Sequence, residues 1–397
     1  MAIQYIDSVD LTEKNVVARF DFNVPLDKND SSKITDTTRI DNALETIRTI
    51  LDNGAQKLVL ISHLGRPKGK VNKKFSLEPV ATYLAEKLGE DVVLSESCLD
   101  RGIKTLLTLN ESRVILLENV RFHAEETKND RDFARKLSEY GDVYVNDAFG
   151  TAHRKHSSTF EINAFFKRNA YAGSLIRKEL EALDQIVEKP KSPFVAILGG
   201  AKVSDKIKVI ESLLPTVSHL LIGGAMAYPF LKAKGYEVGT SLCSDEDVAL
   251  ATKILKEKTA HKIELPHDHI ASKEFGGEPI EVSQMNMSED VMGLDIGPKT
   301  VQIFSEKLRG AKTVLWNGPM GMFENDNYNK GTFGVAQTLA EMENAFTLVG
   351  GGDSVSAVNQ AGLADKMSHV STGGGASLEY IEKSTLPGIH ALRFGIE

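Results

Sequence analysis

Two series of short apolar runs, each run followed by a helical pattern, constrain this chain more than any other feature. The first series is VVARFDF (16–22), KLVLIS (57–62), RVILLEN (113–119) and DVYVND (142–147). The second is FVAILGG (194–200), HLLIGG (219–224), TVLWNG (313–318) and FTLVGG (346–351). Continuous apolar runs without polar alternation are the pattern of strands buried on both faces. The segments between them carry helical spacing. In TTRIDNALETIRTILDNG, Ile40, Leu44, Ile47 and Leu51 make one apolar stripe that Gly54 ends. Such alternation predicts an α/β protein with parallel sheets covered by helices. At 397 residues the chain is too long for one ordinary core, so two domains are expected. The segment 174–194 reads as a helix ending at Pro190 and supplies the boundary. This predicts a first domain over 1–175 and a second over 176–385 that includes this hinge helix.

In open parallel sheets, ligands bind beyond the carboxyl ends of the strands, and the two series end differently. The first carries Arg19, Asp21, Asn23, His63, Arg66, Arg121, His123, Asn146, Asp147, His153 and Arg154 at or just past its strands. The guanidinium fork donates two parallel hydrogen bonds to phosphate or carboxylate. The shared position of Arg39, Arg66, Arg121 and Arg154 therefore favours a small, highly charged anion. His63 and His153 could join them as neutral donors or as cations. The second series ends almost entirely in glycine, at 199–200, 223–224, 318 and 350–352. Bare backbone ahead of helix starts suits a nucleotide. Asp353, at the expected helix start in GGGDSVSAV, could cap that helix or hold Mg²⁺ beside phosphates.

VAILGGAKVSDK (195–206) matches neither the P-loop nor the GxGxxG pattern. Its spacing puts Lys202 and Lys206 on one face of an expected helix, where both could meet a phosphate chain. HRKH (153–156) and the HDH of LPHDHIAS lack a third ligand at metal-binding spacing. The net charge of −8 argues against nucleic acid as a partner. No run is long and apolar enough to span a membrane, and MAIQYIDSVDLTEKN lacks the regions of a secretory signal. Cys98 and Cys243 stand apart, which suits a reducing cytoplasm.

The motifs RFDFNVP (19–25), ITDTTRI (34–40), SHLGRPKG (62–69), LLENVRFH (116–123) and YVNDAFGTAHRKHSS (144–158) closely resemble the phosphoglycerate kinase family. So do LGGAKVSDKI (198–207), WNGPMGMFE (316–324), GGGDSVSAV (350–358) and STGGGASLEYIE (371–382), all in the family's order. The resemblance implies two Rossmann-like domains, with the tail 386–397 returning to the first. It implies an acid-substrate site for 3-phosphoglycerate or 1,3-bisphosphoglycerate at Asp21, Asn23, Arg39, His63, Leu64, Gly65, Arg66, Arg121 and Arg154. It implies an ADP/ATP site at Lys202, Lys206, Gly223, Gly224, Asn317, Glu324, Gly351, Gly352, Asp353 and Ser354. Asp353 would contact Mg²⁺. Lys202, Arg39 and Gly374, within Gly373–Gly375, would meet the transferring phosphoryl group. A cytoplasmic monomer closing about its hinge is expected. KNDSSK (28–33), AMAYPF (225–230) and LPHDHIAS depart from the family pattern. A non-catalytic nucleotide sensor and a kinase for another acyl phosphate remain as alternatives.

Overall fold

The computed structural model describes residues 2–109 and 112–396, so Met1 and Glu397, the outer ends of the expected domain ranges, lie outside the described residues. The chain divides into two compact units. One runs through Glu181 and takes in the chain again from Thr385; the other is Ala182–Ser384.

The first unit is built on β1 (Asn15–Arg19), β2 (Lys57–Ile61), β3 (Val92–Leu94), β4 (Val114–Leu116), β5 (Val143–Asn146) and β6 (Ala170–Ala172). They form one parallel sheet in the order β3-β4-β2-β1-β5-β6. Val16, Ala18, Leu58, Leu60, Val114 and Val145 point into a core closed by Ile40, Leu44 and Ile47 of the helix Thr38–Asp52. The apolar stripe is therefore the face that covers the sheet. In the KNDSSK turn the Asp27 carboxylate accepts from the amides of Asn29 and Asp30, and Asp30 accepts from Ser32. Aspartate side chains thus hold the turn that glycine would otherwise make.

The second unit contains β7 (Phe194–Leu198), β8 (His219–Ile222), β9 (Ile263–Glu264), β10 (His269–Ser272), β11 (Ile280–Val282), β12 (Met292–Ile296), β13 (Thr313–Asn317), β14 (Phe346–Gly350) and β15 (His369–Val370). Six of them make a second parallel sheet, β15-β14-β13-β7-β8-β9. The remaining three form an antiparallel sheet, β11-β10-β12. Trp316 is fully buried in the core between β13 and its covering helices.

The helix Ser174–Val187 crosses the division, which falls between Glu181 and Ala182, within the helix. Its start is capped from the first unit. Asp147 Oδ1 accepts from the amide of Ile176 at 2.9 Å, and Thr46 Oγ1 accepts from the amide of Ser174 at 2.9 Å. These bonds satisfy donors that a helix leaves open at its first turn. Burial pushes the Asp147 carboxyl up to about 7. The helix stops at Val187, three residues before Pro190, as the amides of Glu188 and Lys189 turn back to the carbonyl of Asp184. From Thr385 the chain packs on the first unit, where the amide of Gly388 donates to Ala152 O at 2.8 Å.

Candidate active site

Each parallel sheet has one place where neighbouring strands send their onward connections to opposite sides: between β1 and β5 in the first, between β7 and β13 in the second. Loops on either side of such a point part and leave a crevice at the strands' carboxyl ends. The residues expected from sequence are described within their own units.

At the first crevice Arg19 ends β1 fully buried, Asp21 and Asn23 follow it, and His63 follows β2. Arg39, in the first turn of the helix Thr38–Asp52, donates from Nη1 to Asp21 Oδ2 at 2.6 Å. Burial works to raise the Asp21 carboxyl. Arg39 and Arg19, with the amide of Asn23, hold it below the usual carboxylate range. Asn23 Oδ1 accepts from the amide of Gly65 at 2.8 Å, and the carbonyl of Gly65 accepts from Arg121 Nη1 at 2.9 Å. The SHLGRP loop is thereby tied on both sides. Leu64 is buried and offers only backbone. Arg66 and Arg154 are exposed, Arg154 donating from Nε to His153 Nε2 at 3.1 Å.

The cluster is crowded with positive charge, and its effects show on the neighbours. Burial, with Arg19 and Arg154 nearby, lowers Arg121 to about 10, so it stays charged at neutral pH. His63 is pushed well below the ordinary histidine value by burial and by Arg19, Arg121 and Arg39, against the pull of Asp21. His156 falls to about 3 for the same kinds of reason. His63 and His156 are therefore neutral, and the open choice for His63 closes on a neutral imidazole. What this crevice can do is gather guanidiniums around a small polyanion.

At the second crevice the end of β7 is sealed to the end of β13. The amide of Gly199 donates to Asn317 O at 3.0 Å and that of Gly200 to Pro319 O at 3.1 Å. Lys206 Nζ bridges the same junction, donating to Asn317 O at 2.9 Å and to Asn317 Oδ1 at 2.5 Å. Asn317 Nδ2 donates to Gly350 O at 2.9 Å, and Ser354 Oγ accepts from the amide of Gly318 at 2.5 Å. Asn317 and Ser354 are thus buried and hold strand ends together. Gly223 and Gly224 follow β8 and donate to Leu198 O and Met320 O, both at 2.9 Å. Burial lowers Lys206 to about 8, while Asp353 and Asp205 favour its charged form.

One expectation is corrected. Lys202 and Lys206 do not share a helix face, because the helix begins only at Ile207. Buried Val203 and the bond from the Ser204 amide to Asp247 Oδ1, at 2.8 Å, hold the preceding residues in a turn. Lys202 is exposed on that turn, and Lys206 is half-buried just ahead of the helix.

Asp353 is exposed in the first turn of the helix Gly352–Gln360, whose cap position is Gly351. The capping alternative has no bond behind it: the Asp353 carboxylate makes no hydrogen bond among the described residues. An exposed carboxylate with no hydrogen-bond partner fits Mg²⁺, which takes one or two carboxylates and fills its shell with phosphate oxygens and water. Among the described residues no group of three or more metal-binding side chains could hold an ion without such help. Glu324 is exposed one residue past buried Phe323. Gly374 precedes the helix Gly375–Lys383. A Cβ placed on Gly352, Gly374 or Gly375 would meet no protein atom within 4 Å. At Gly374 the backbone itself favours glycine, at φ +54°; at Gly352 and Gly375 neither packing nor a positive φ demands it, and bare amides there leave room for a ligand.

Comparison with known proteins decides the family. The phosphoglycerate kinase family model matches residues 6–384. The chain belongs to the phosphoglycerate kinase family. It is 52% identical to the phosphoglycerate kinase of Anaeromyxobacter dehalogenans (strain 2CP-C), over 98% of this chain and 99% of the relative. It is 50% identical to that of Clostridium perfringens (strain 13 / Type A), over 98% of each. Among solved structures, the phosphoglycerate kinase of Coxiella burnetii matches with a TM-score of 0.89 at 38% identity, covering 99% of both chains. That of Pyrococcus horikoshii OT3 matches with a TM-score of 0.84 at 31% identity, again over 99% of both. The two-domain Rossmann-like architecture is that of the family.

Two of the departures from the phosphoglycerate kinase pattern meet in space, the rings of Tyr228 and His269 lying 5.5 Å apart. They fill each other's surroundings in the second unit. Sequence reasoning passed over Glu126 and Ser158 and gave Arg19 no role, although all three are fully buried beside His63 and Arg121. Arg19 at a strand's carboxyl end was a usable signal. Ser158 and Glu126 had none, because their partners lie far away in the chain.

Proposed function

We propose that the chain transfers the acyl phosphate of 1,3-bisphosphoglycerate to MgADP, reversibly, giving 3-phosphoglycerate and MgATP, as a step of glycolysis and gluconeogenesis. The observation that carries this reading is the pairing of a guanidinium-lined crevice with a bare-amide crevice in a chain of this family. The acid would be held by Asp21, Asn23, Arg39, His63, the Leu64–Gly65 backbone, Arg66, Arg121 and Arg154. The nucleotide would lie on Gly223, Gly224 and the amides of Gly351 and Gly352, with Lys206, Asn317 and Ser354 shaping the cradle and Glu324 reaching the ribose. Asp353 would hold Mg²⁺, which when bound neutralises charge on the nucleotide phosphates.

Direct in-line transfer needs no protein nucleophile, so the chain's contribution is positioning and charge neutralisation. Lys202 is free to follow the phosphoryl group because no hydrogen bond ties it down in its own unit. Arg39 would meet the same group from the acid side, and Gly374 would offer a bare amide. Reacting atoms must approach to about 3–3.5 Å, so hinge bending about the helix Ser174–Val187 belongs to the proposal. The free thiols Cys98 and Cys243 suit a cytoplasmic setting, and no helix among the described residues is long and apolar enough to cross a membrane. The enzyme is taken as a monomer, which sedimentation would check. The deciding assay follows ATP formation from MgADP with 1,3-bisphosphoglycerate, acetyl phosphate or carbamoyl phosphate. Turnover with the first alone is expected. Nucleotide binding without turnover, or a preference for another acyl phosphate, would sink the reading.

A further inference from the structure

Arg19 donates in three directions. Its Nε donates to Ser158 Oγ at 2.9 Å, Nη1 donates to the Phe20 carbonyl, and Nη2 lies 3.2 Å from His63 Nδ1. A serine hydroxyl can accept from Arg19 only if its own proton points elsewhere. Glu126 takes that proton: Ser158 Oγ donates to Oε1 at 2.7 Å, and the Ser158 amide donates to Oε2 at 2.9 Å. Arg19, Ser158 and Glu126 are all fully buried, so water does not compete for these bonds.

The chain of bonds has a consequence at His63. A guanidinium has donors and no acceptor, so Nδ1 of His63 must present its lone pair to Arg19. The ring is neutral, as burial and the surrounding guanidiniums require. Its single proton then sits on Nε2, which makes no hydrogen bond among the described residues. A competing arrangement lies close by. Asp21 Oδ1 is 3.8 Å from Nδ1 and would draw the proton there if Arg19 moved away. The other charged groups around the ring are Arg39 and Arg121, neither of which can accept a proton at neutral pH.

We propose that Ser158 and Glu126 are positioning residues for the acid substrate: they hold Arg19 so that His63 presents its Nε2–H, and not a lone pair, to a carboxylate or phosphate oxygen. The assignment rests on the reading of the first crevice as the acid site. A lone pair aimed at an anion would repel it, so the choice of tautomer decides whether His63 helps or hinders binding.

The test is nitrogen-15 NMR of the imidazoles in the full chain, with His63 identified by the signals missing from a His63→Gln sample. The expected wild-type signature is an unprotonated Nδ1 and a protonated Nε2, unchanged between pH 6 and 8. Ser158→Ala should move the proton toward Nδ1. It should also raise KM for 3-phosphoglycerate about tenfold, the scale of one hydrogen bond to a charged group. The kcat and the KM for MgATP should stay within about twofold. Glu126→Gln keeps the volume and weakens the acceptor, so it should shift the same signals in the same direction. Either variant serves if the other fails to fold. A wild-type His63 protonated on Nδ1, or a tautomer unmoved by these substitutions, overturns the proposal while leaving the kinase reading intact. Absence of turnover in the wild type would strike the kinase reading and leave the tautomer result standing.

Discussion

Lys202 and Lys206 sit four residues apart and face opposite demands from the fold. Lys202 is exposed on a turn, and none of its own unit's groups hydrogen-bonds it. Lys206 is locked to both oxygens of Asn317. A lysine free to move can follow charge that develops only in the transition state, and a lysine already bonded to the scaffold cannot. Lys202→Ala should therefore lower kcat by roughly a hundred- to a thousandfold, about 3–4 kcal/mol, with a much smaller change in nucleotide affinity. Steady-state kinetics beside a binding titration checks this; equal losses in both would make Lys202 a ground-state contact. Lys206 carries a different prediction. Its value of about 8 is depressed by burial, so it is charged below that pH and loses its charge above it. Phosphate binding favours the charged form, so affinity for ADP should weaken by up to tenfold per unit as pH rises past about 8. Lys206→Arg keeps its charge throughout and should flatten that dependence. A wild-type profile as flat as the arginine variant's would remove Lys206 from the phosphate site.

The strand-to-helix junctions of the second unit are where element and ligand meet. The helices Gly352–Gln360 and Gly375–Lys383 both start from glycines that face open space. At Gly352 the backbone has no special conformation and an added methyl would touch nothing within 4 Å. Gly352→Ala should leave the melting temperature within a degree or two and raise KM for MgATP by at least about tenfold, because the methyl occupies the space a phosphate would take. A large drop in melting temperature with unchanged KM would mean that this glycine serves the fold. The same junctions explain what was legible beforehand. β1, β2, β5, β7, β8, β13 and β14 are predominantly apolar runs of four or five residues, and their length gave them away. β3, β6, β9 and β15 are two or three residues long at or near sheet edges, too short for any period to register. β10, β11 and β12 mix polar and apolar residues over few positions, as in Ile280-Glu281-Val282, and their pairing comes from distant partners. The glycines and most of the arginines of the candidate site could be read because they follow strands, whereas Arg39 lies in the first turn of a helix. The Arg19–Ser158–Glu126 chain could not, since it joins residues 139 and 32 positions apart. The two lysines do not share a helix face because a turn held by Asp247 and Val203 occupies what spacing alone makes a first helical turn.

At the scale of the molecule, the two crevices belong to units with separate sheets and separate cores. A ligand stabilises the state that binds it by RT ln(1 + [L]/Kd), about 2.7 kcal/mol at a hundred times Kd. If each unit opens on its own, that stabilisation should reach only the amides that exchange through that unit's opening. With 3-phosphoglycerate at a hundred times its Kd, exchange at Val17, Leu60 and Val145 should slow up to about a hundredfold. Ile197, Leu221, Leu315 and Val349 should change little. MgADP should give the reverse pattern. The central strands are the informative reporters, since β1, β2 and β5 adjoin one crevice and β7, β8, β13 and β14 the other. Residues of the helix Ser174–Val187 should divide at about Glu181, protected by the acid ahead of it and by the nucleotide after it. If each ligand alone slows both sets equally, the chain opens as one cooperative body. The partition of acid and nucleotide between independently stable units would then have to be given up, although the two crevices would still bind what their chemistry favours.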